Sequence, residues 1–243
     1  EFEFQLNMAQ RESANAFGDD TMYIERFVEN PRHVEIQIMA DTLGNVVALG
    51  ERDCSVQRNH QKLIEESPSP AITEDIRREM NRCAVLAAKT VGYTNAGTIE
   101  FIVDPKGNFY FMEMNTRIQV EHGVTEMVTG TDLIIEQIRV AMGEPLSFKQ
   151  EDIEIRGHAI ECRINAEIPE KNFMPSPGVV QHVHLPAGNG VRVDTGLYEG
   201  YKIPSEYDSM IAKVIVHAAD REAAIMKMRA ALDEMLIMGL GTN

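Results

Sequence analysis

The chain contains no tryptophan and only three cysteines, and it has no hydrophobic run long enough to cross a bilayer. Cys54, Cys83 and Cys162 are odd in number and far apart, so they predict neither a disulfide framework nor a metal-binding spacing. The first residues, Glu-Phe-Glu-Phe, have neither the basic region nor the apolar core of a signal peptide. We therefore expect a reducing, cytoplasmic setting.

Basic residues are also scarce, because 23 Lys and Arg stand against 38 Asp and Glu, a formal net charge of -15. A charge of this sign disfavours nucleic acids and anionic membrane surfaces as partners. The length of 243 residues and the 44% hydrophobic content suffice for the core of one or two domains. The chain begins with Glu and ends on Gly-Leu-Gly-Thr-Asn, so we interpret it as a segment of a longer protein.

The hydrophobic pattern predicts an α+β fold with antiparallel hairpins. Helices are expected over residues 1–17, 73–90, 132–142 and 221–235, with Thr73 and Asp220 as N-caps. Strands are expected over residues 21–28, 33–39, 46–49, 97–104, 109–115, 156–165, 179–185, 190–194 and 210–217. Residues 51–62 are interpreted as a polar connector, and the acidic stretch 146–155 as a linker between two parts.

The most informative stretch is Glu-Met-Asn-Thr-Arg-Ile-Gln-Val-Glu-His, residues 113–122. In an extended segment alternate side chains share one face. That face then carries Glu113, Asn115, Arg117, Gln119 and Glu121, whereas the other face is mostly apolar. The plain alternative is a half-buried edge strand with a solvated face. The strict alternation through such diverse polar residues favours the floor of a reaction site.

Just upstream, two strand-like runs flank Pro-Lys-Gly-Asn, which predicts a β-hairpin. A four-residue loop sets Asp104 opposite Phe109 and therefore Glu100 opposite Glu113, with Asn115 two residues further on. Facing like charges destabilise a sheet, but carboxylate and amide oxygens are ligands that Mg²⁺ accepts. We predict a metal site here; the alternative is two solvated glutamates or a pair sharing a proton.

Six segments together resemble the biotin carboxylase component of biotin-dependent carboxylases, an ATP-grasp enzyme family. They are Tyr23–Gln37, Glu51–Lys62, Gly97–Phe101, Glu113–Glu126, Gly157–Ala166 and Pro175–Gly178, in the family's order. The resemblance covers essentially the whole chain. It implies a partial ATP-grasp module (1–145), a linker (146–155) and a biotin carboxylase C-terminal domain (156–243) with an antiparallel sheet, truncated at its end.

The same resemblance implies that the family's N-terminal domain, its glycine-rich lid and two ATP-contacting lysines are not in this chain. One position departs from the family: Gly123 stands where proline is usual after the histidine of the motif. Loss of the fixed proline φ loosens the turn, so we expect Glu121 to be held less rigidly.

The resemblance implies an ATP-dependent ligase. Bicarbonate attacks the γ-phosphate of ATP to give carboxyphosphate and ADP, and the ureido nitrogen of biotin, attached to biotin carboxyl carrier protein, is then carboxylated. This is the first half-reaction of acetyl-CoA carboxylase or a related carboxylase. ATP with Mg²⁺ or Mn²⁺, a carboxyltransferase component as partner, and a homodimer are implied as well.

Residue by residue, the resemblance implies four groups. Glu100 and Glu113 bind the metal, with Asn115 beside them. The stretch from Glu25 through Arg26 to Val28 receives adenine, while His33, Gln57 and His60 contact the ribose and phosphates. Lys62, Arg117, Gln119 and Val120 surround bicarbonate and the γ-phosphate. Glu121 is the base that takes the bicarbonate proton, and Arg163 stabilises the ureido oxygen of biotin, with Asp208 a candidate to orient it.

Taken alone, several of these residues have plainer interpretations. His33 on a strand face is commonly structural, Lys62 in a loop is commonly solvated, and Arg163 could simply pair with Glu161. Two alternative functions remain: another ATP-grasp ligase, such as a carbamoyl-phosphate synthetase, and a non-catalytic interaction module. The second alternative arises because we expect little turnover from a chain without the lid.

Overall fold

The computed structural model describes all 243 residues. Its helices are α1 (Phe2–Phe17), α2 (Glu74–Thr90), α3 (His122–Thr129), α4 (Leu133–Ala141) and α5 (Arg221–Glu234). None of them combines the length and the apolar character that a membrane crossing requires. The strands are β1 (Arg32–Ala40), β2 (Val46–Arg58), β3 (Gln61–Ser67), β4 (Asn95–Val103), β5 (Phe109–Asn115), β6 (His158–Asn165), β7 (Glu167–Ile168), β8 (Met174–Pro175), β9 (His182–His184), β10 (Val191–Thr195), β11 (Met210–Ala218) and β12 (Leu236–Met238).

A single antiparallel sheet of eight strands organises the molecule, in the order β10-β11-β6-β3-β2-β1-β4-β5. The pairing of β3 with β6, from Ile64 opposite Cys162 to Ser67 opposite Ala159, makes the sheet continuous across residues 146–155. Two small ribbons, β9 with β12 and β7 with β8, lie outside it. The predicted α+β class with an antiparallel sheet is confirmed.

The two faces of the sheet differ in chemistry. On one face α2 packs Met80 and Ala84 against aliphatic residues of β1 and β4, and α5 packs Met228 against β6 and β11. On the other face α3 and α4 cover the sheet. That second face buries charged side chains such as Glu35 and Arg52 in addition to its apolar clusters.

Helix prediction from the sequence was mostly right. Helices α1, α2, α4 and α5 lie where the pattern places them, and Thr73 and Asp220 each accept a backbone N–H of the first turn as N-caps. Helix α3 was not predicted, because residues 113–121 were interpreted as continuously extended. The strand in fact ends at Asn115, and the chain turns so that Glu121 stands at the start of α3.

Two further interpretations were wrong. Residues 21–28 form no strand, since no neighbouring strand pairs with them. Residues 51–62 are not a connector but most of a hairpin, β2 and β3, which turns at Asn59 and His60 with φ of 50° and 63°. The many polar residues of this segment were interpreted as a sign of an exposed connector, but this part of the sheet buries polar side chains as well as apolar ones.

The β4–β5 register combines one correct and one wrong expectation. Glu100 lies opposite Glu113, as predicted, but Phe109 lies opposite Val103 rather than Asp104. A bulge between Glu100 and Phe101 accounts for the one-residue difference. Asp104 instead accepts hydrogen bonds within the turn, from the backbone N–H groups of residues 106 and 108.

Candidate active site

A cleft of about 630 Å³ opens on the polar side of the sheet. It brings together every residue predicted for metal, bicarbonate and catalysis, and three of the six predicted for ATP. These lining residues are His33, Gln57, His60, Lys62, Glu100, Glu113, Asn115, Arg117, Gln119, Val120, Glu121 and Arg163. Strands from both halves of the sequence contribute, so the cleft exists only because β3 and β6 are neighbours.

The remaining predicted ATP contacts lie elsewhere. Arg26 and Val28 line a separate cavity of about 330 Å³, together with Tyr110 and the β4–β5 turn. Glu25 lines neither cavity. The nucleotide roles of these three residues stay predictions.

Lys62 is the positive centre of the cleft. Its ammonium lies 2.6 Å from Glu35 Oε2, 3.0 Å from Glu100 Oε1 and 2.7 Å from Glu121 Oε1. Burial alone would lower the pKa of Lys62, but the charges around it, Glu35 foremost and Glu121 as well, outweigh burial and raise that pKa. Lys62 is therefore a fixed charge that draws three strands and α3 together, not a solvated loop residue.

His33 lies beside this lysine at the start of β1. Its Nε2 is 3.3 Å from Glu35 Oε2 and 3.2 Å from Glu100 Oε2, and the Gln57 amide lies 3.3 Å from Nδ1. Burial alone would lower the pKa of His33, but hydrogen bonds to Glu100 and Glu35 raise it to about 9. The hydrogen bonds to these two carboxylates thus favour the protonated form of His33 over the neutral imidazole.

The predicted metal ligands form a compact set at the β4–β5 edge. Glu100 is buried and Glu113 is exposed toward the cleft. Asn115 Nδ2 links them, at 3.0 Å from Glu100 Oε1 and 3.3 Å from Glu113 Oε1. Burial raises the pKa of Glu100, but the His33 hydrogen bond and the Lys62 charge lower it overall. Two carboxylates and an amide suit a hard divalent cation.

Arg52 is the residue that the sequence interpretation missed. It is fully buried, and its guanidinium donates to five side chains, which lie on β1, β4, α3 and the turn before α3. The acceptors are Glu35 (2.7 Å), Gln37 (2.6 Å), Thr125 (3.0 Å), Thr98 (3.2 Å) and Gln119 (3.0 Å). A signal was present: Glu35 and Gln37 alternate with apolar residues on the predicted strand 33–39, and such polar side chains need a donor when the strand is buried.

Glu121 is held between two cations. It is buried at the start of α3, with Oε1 on Lys62 and Oε2 3.0 Å from Arg163 Nη2. Arg163 also donates through Nε to Glu65, at 2.7 Å. Arg163 thus pairs with Glu65 and Glu121 and not with Glu161. Asp208 lines the cleft but accepts from the Met210 N–H rather than from Arg163.

Arg117 differs from the other cations of the cleft. Its side chain is exposed, and its only hydrogen bond goes to the Ile118 carbonyl, at 3.2 Å. It forms no ion pair with a carboxylate of the chain, whereas Lys62 and Arg163 form several. A free guanidinium fork of this kind is suited to a planar oxyanion.

Gly123 lies in the first turn of α3 and is buried. A Cβ at this position would overlap Ile215 Cδ1 and would lie 3.4 Å from Glu161 Oε2. The backbone of α3 therefore approaches β11 closely at this point. This contact restricts the turn after Glu121 by packing, although proline is absent.

Comparison with known proteins identifies the class first. Residues 1–149 match the family model described as carbamoyl-phosphate synthase L chain, ATP binding domain. The polar cleft on an antiparallel sheet is thus that of an ATP-grasp protein. Residues 161–243 match the model of the biotin carboxylase C-terminal domain. With relatives of that kind along nearly its whole length, the chain belongs to the biotin carboxylase family.

Biotin carboxylase 1 of Bacillus subtilis (strain 168) is 61% identical over 239 residues, which are 98% of this chain and 53% of that protein. A pyruvate carboxylase subunit of Methanothermobacter thermautotrophicus is 57% identical over 98% of this chain and 48% of that protein. A solved biotin carboxylase domain dimer of Hydrogenobacter thermophilus 2-oxoglutarate carboxylase, in complex with MgADP, ADP and bicarbonate, superposes with a TM-score of 0.92 at 50% identity, covering 98% of this chain and 52% of that one. The chain spans about half the length of the curated relatives it matches.

Proposed function

We propose that the protein carrying this chain catalyses the ATP-dependent carboxylation of biotin with bicarbonate. The observation that carries the proposal is the Glu121 carboxylate, held between Lys62 and Arg163 in a cleft that also presents the Glu100–Glu113 pair. One site then has a base, cations for an anionic substrate and oxygen ligands for a metal. Those are the needs of a phosphoryl transfer followed by a carboxyl transfer.

Glu100, Glu113 and Asn115 are the residues that would hold Mg²⁺ or Mn²⁺, which neutralises developing charge on the phosphates when bound. Lys62 lies against Glu100 and supplies a second, permanent positive charge. His33, Gln57 and His60 line the same side and are suited to the ribose and phosphates. Glu25, Arg26 and Val28 are proposed to receive the adenine.

Bicarbonate is proposed to bind between Arg117, Gln119 and Val120, where the free guanidinium of Arg117 pairs with its oxygens. Glu121 takes its proton as the hydroxyl oxygen attacks the γ-phosphate, which gives carboxyphosphate and ADP. Carboxyphosphate then breaks down to CO₂ and phosphate. Arg163 stabilises negative charge on the ureido oxygen while the adjacent nitrogen is carboxylated.

Partners follow from this chemistry. We propose a biotin carboxyl carrier protein as the bearer of biotin, a carboxyltransferase component that receives the carboxyl group, and a homodimer, as in the 2-oxoglutarate carboxylase domain above. Acetyl-CoA carboxylase is one setting, and the similarity to a pyruvate carboxylase subunit keeps related carboxylases open. Three free cysteines suit a reducing cytosol.

The proposed division is an ATP-grasp part over 1–145, a linker over 146–155 and a C-terminal domain over 156–243. Family matches to 1–149 and 161–243 support it. A carbamoyl-phosphate synthetase-like reaction would need the first part but not the second, and a non-catalytic module would need no charged cleft. Neither alternative accounts for an Arg163 supplied by the C-terminal part.

ADP release from MgATP and bicarbonate, with and without free biotin, tests the proposal on the intact protein that carries this chain. We expect biotin to stimulate release and Glu121→Gln to abolish the stimulation. Glu222→Gln, on the exposed surface of α5, is the matched control and should behave as wild type. ADP release that biotin does not stimulate, or a biotin stimulation that persists in Glu121→Gln, would reject the proposed function.

A further inference from the structure

Two glutamates that the proposed reaction does not use face each other beneath Arg163. Glu65 on β3 and Glu161 on β6 are direct cross-strand neighbours, and neither side chain is exposed. Glu65 Oε2 and both carboxylate oxygens of Glu161 have no hydrogen-bond partner. The nearest ammonium to Glu161 is that of Lys213, at 3.8 Å.

Ionising both of these buried carboxylates at once is energetically unfavourable. A buried carboxylate without donors loses its hydration and gains no hydrogen bonds to replace it, and a like charge beside it makes ionisation still less favourable. Burial raises the pKa of Glu161 well above its ordinary value, and it raises that of Glu65 to about 7 although Arg163 opposes the shift. The other charged or titratable groups facing the pair are Arg163 from β6, Lys213 from β11, Glu121 at the start of α3, Glu35 from β1 and Cys54 from β2.

The pair is connected to both supports of Glu121. Glu65 Oε1 accepts from Arg163 Nε at 2.7 Å, and the same guanidinium reaches Glu121. Lys213 lies 3.8 Å from Glu161 and 3.3 Å from Asp194 of β10, and it donates to the carbonyl of Val120, which directly precedes Glu121. A change of charge on the pair therefore acts on the cation and on the backbone that set the position of Glu121.

We propose that Glu65 and Glu161 share one proton and act together as positioning residues for Arg163 and Glu121. This inference rests on the proposed function. With one proton between them, the pair carries a single negative charge that Arg163 balances, and Lys213 stays on the Val120 carbonyl. When the proton is lost, Lys213 is drawn toward Glu161, and the turn that carries Glu121 shifts.

The first test follows biotin-dependent ADP release by the intact protein between about pH 6 and pH 9, the range in which such a pair would titrate. Glu161→Gln keeps the shape and removes the second charge, so we expect wild-type kcat near neutral pH and activity that persists further into the alkaline range. Glu65→Gln removes the anchor of Arg163, so kcat for the biotin-dependent reaction should fall about tenfold or more. Its KM for ATP should not change.

Glu66→Gln is the matched control, because Glu66 is the next residue on β3 and its partners, His158 and Arg221, lie outside the cleft. It should leave the pH profile unchanged. A Glu161→Gln profile that overlays wild type would overturn the inference, as would a Glu65→Gln defect that merely tracks the fraction of unfolded protein.

A second test does not depend on turnover. Infrared difference spectra of the carboxyl groups, wild type against Glu161→Gln, should show one protonated carboxyl at neutral pH that the variant lacks. Two carboxylates ionised already below about pH 5 would reject the shared proton. If the wild type shows no biotin-dependent release, the proposed function fails, yet the spectra still decide whether the proton is shared.

Discussion

The two faces of the central sheet are built from the same strands by opposite means. The face under α2 and α5 is held by aliphatic contacts, with Met80 and Ala84 fully buried. The face under α3 and α4 includes a network of ion pairs around Arg52 and Lys62. Apolar residues of the first face can be exchanged for others of similar volume with little loss of stability. Each charged residue of the second face has several partners, so replacing one residue disturbs several interactions. Both faces therefore contribute to stability, and the charges needed for chemistry are concentrated on the second one.

The largest effect is expected from disrupting the polar face at Arg52. Arg52→Ala removes the donor to Glu35 Oε1 and to Gln37 Oε1, and loss of one partner of a buried ion pair costs about 3–5 kcal/mol. Urea unfolding measures this change. Arg52→Met combined with Glu35→Gln should recover part of the lost stability but not activity. A loss below about 1 kcal/mol for Arg52→Ala would mean that water replaces the guanidinium.

A similar or smaller loss is expected on the apolar face. Met80→Ala creates a cavity under α2 and should cost about 2–5 kcal/mol. Because no cleft residue contacts Met80 in the apolar cluster, kcat per folded molecule should stay at the wild-type value. A fall in kcat at temperatures where the variant is fully folded would show that the two faces are coupled.

An intermediate effect is expected where α3 approaches β11. Gly123→Ala brings a Cβ into overlap with Ile215 Cδ1, and such overpacking costs about 1–3 kcal/mol. Ile215→Val removes the clashing methyl group, so the double variant should be more stable than Gly123→Ala alone. Thermal unfolding of the two single variants and the double variant checks this, and purely additive losses would contradict the contact.

The smallest expected effect is on the pH dependence of stability, which has opposite signs for Glu66 on one face and Glu65 on the other. Hydrogen bonds from His158 and Arg221 outweigh burial and lower the pKa of Glu66, on the apolar side of β3. A depressed folded-state pKa adds stability above the ordinary value near 4.5, and that stability is lost as the pH falls through the folded-state pKa. Glu66→Gln should flatten the acid limb of the stability curve. Its neighbour Glu65, with a raised pKa of about 7, has the opposite sign, so its stability contribution falls as the pH rises from about 4.5 to about 7.

Much of the candidate site could be predicted because its motif is local. Glu113, Asn115, Arg117, Gln119 and Glu121 were selected as a group from nine residues, and all of them line the cleft. The predicted extended conformation of residues 113–121 was right only in part, since the strand ends at Asn115 and α3 begins after Glu121. The group converges because the chain turns there, not because it stays extended.

Arg52 and the hairpin of residues 51–62 could not be assigned in the same way. A buried arginine resembles a solvated one in sequence, and only its five acceptors on other elements distinguish the two. Residues 21–28 show the reverse error, because a strand-like pattern without a pairing partner forms no strand.

Local sequence was enough to predict the capped starts of α2 and α5, the Glu100–Glu113 hairpin and the family, since these depend on caps, alternation and motifs within short spans. Which charges meet depends instead on the folded arrangement of the strands. Pairing of β3 with β6 brings Arg163 to Glu121 across 42 positions and sets Glu65 against Glu161. Electrostatic interactions depend on distance in space and on burial, and neither quantity is encoded in the spacing of residues along the chain.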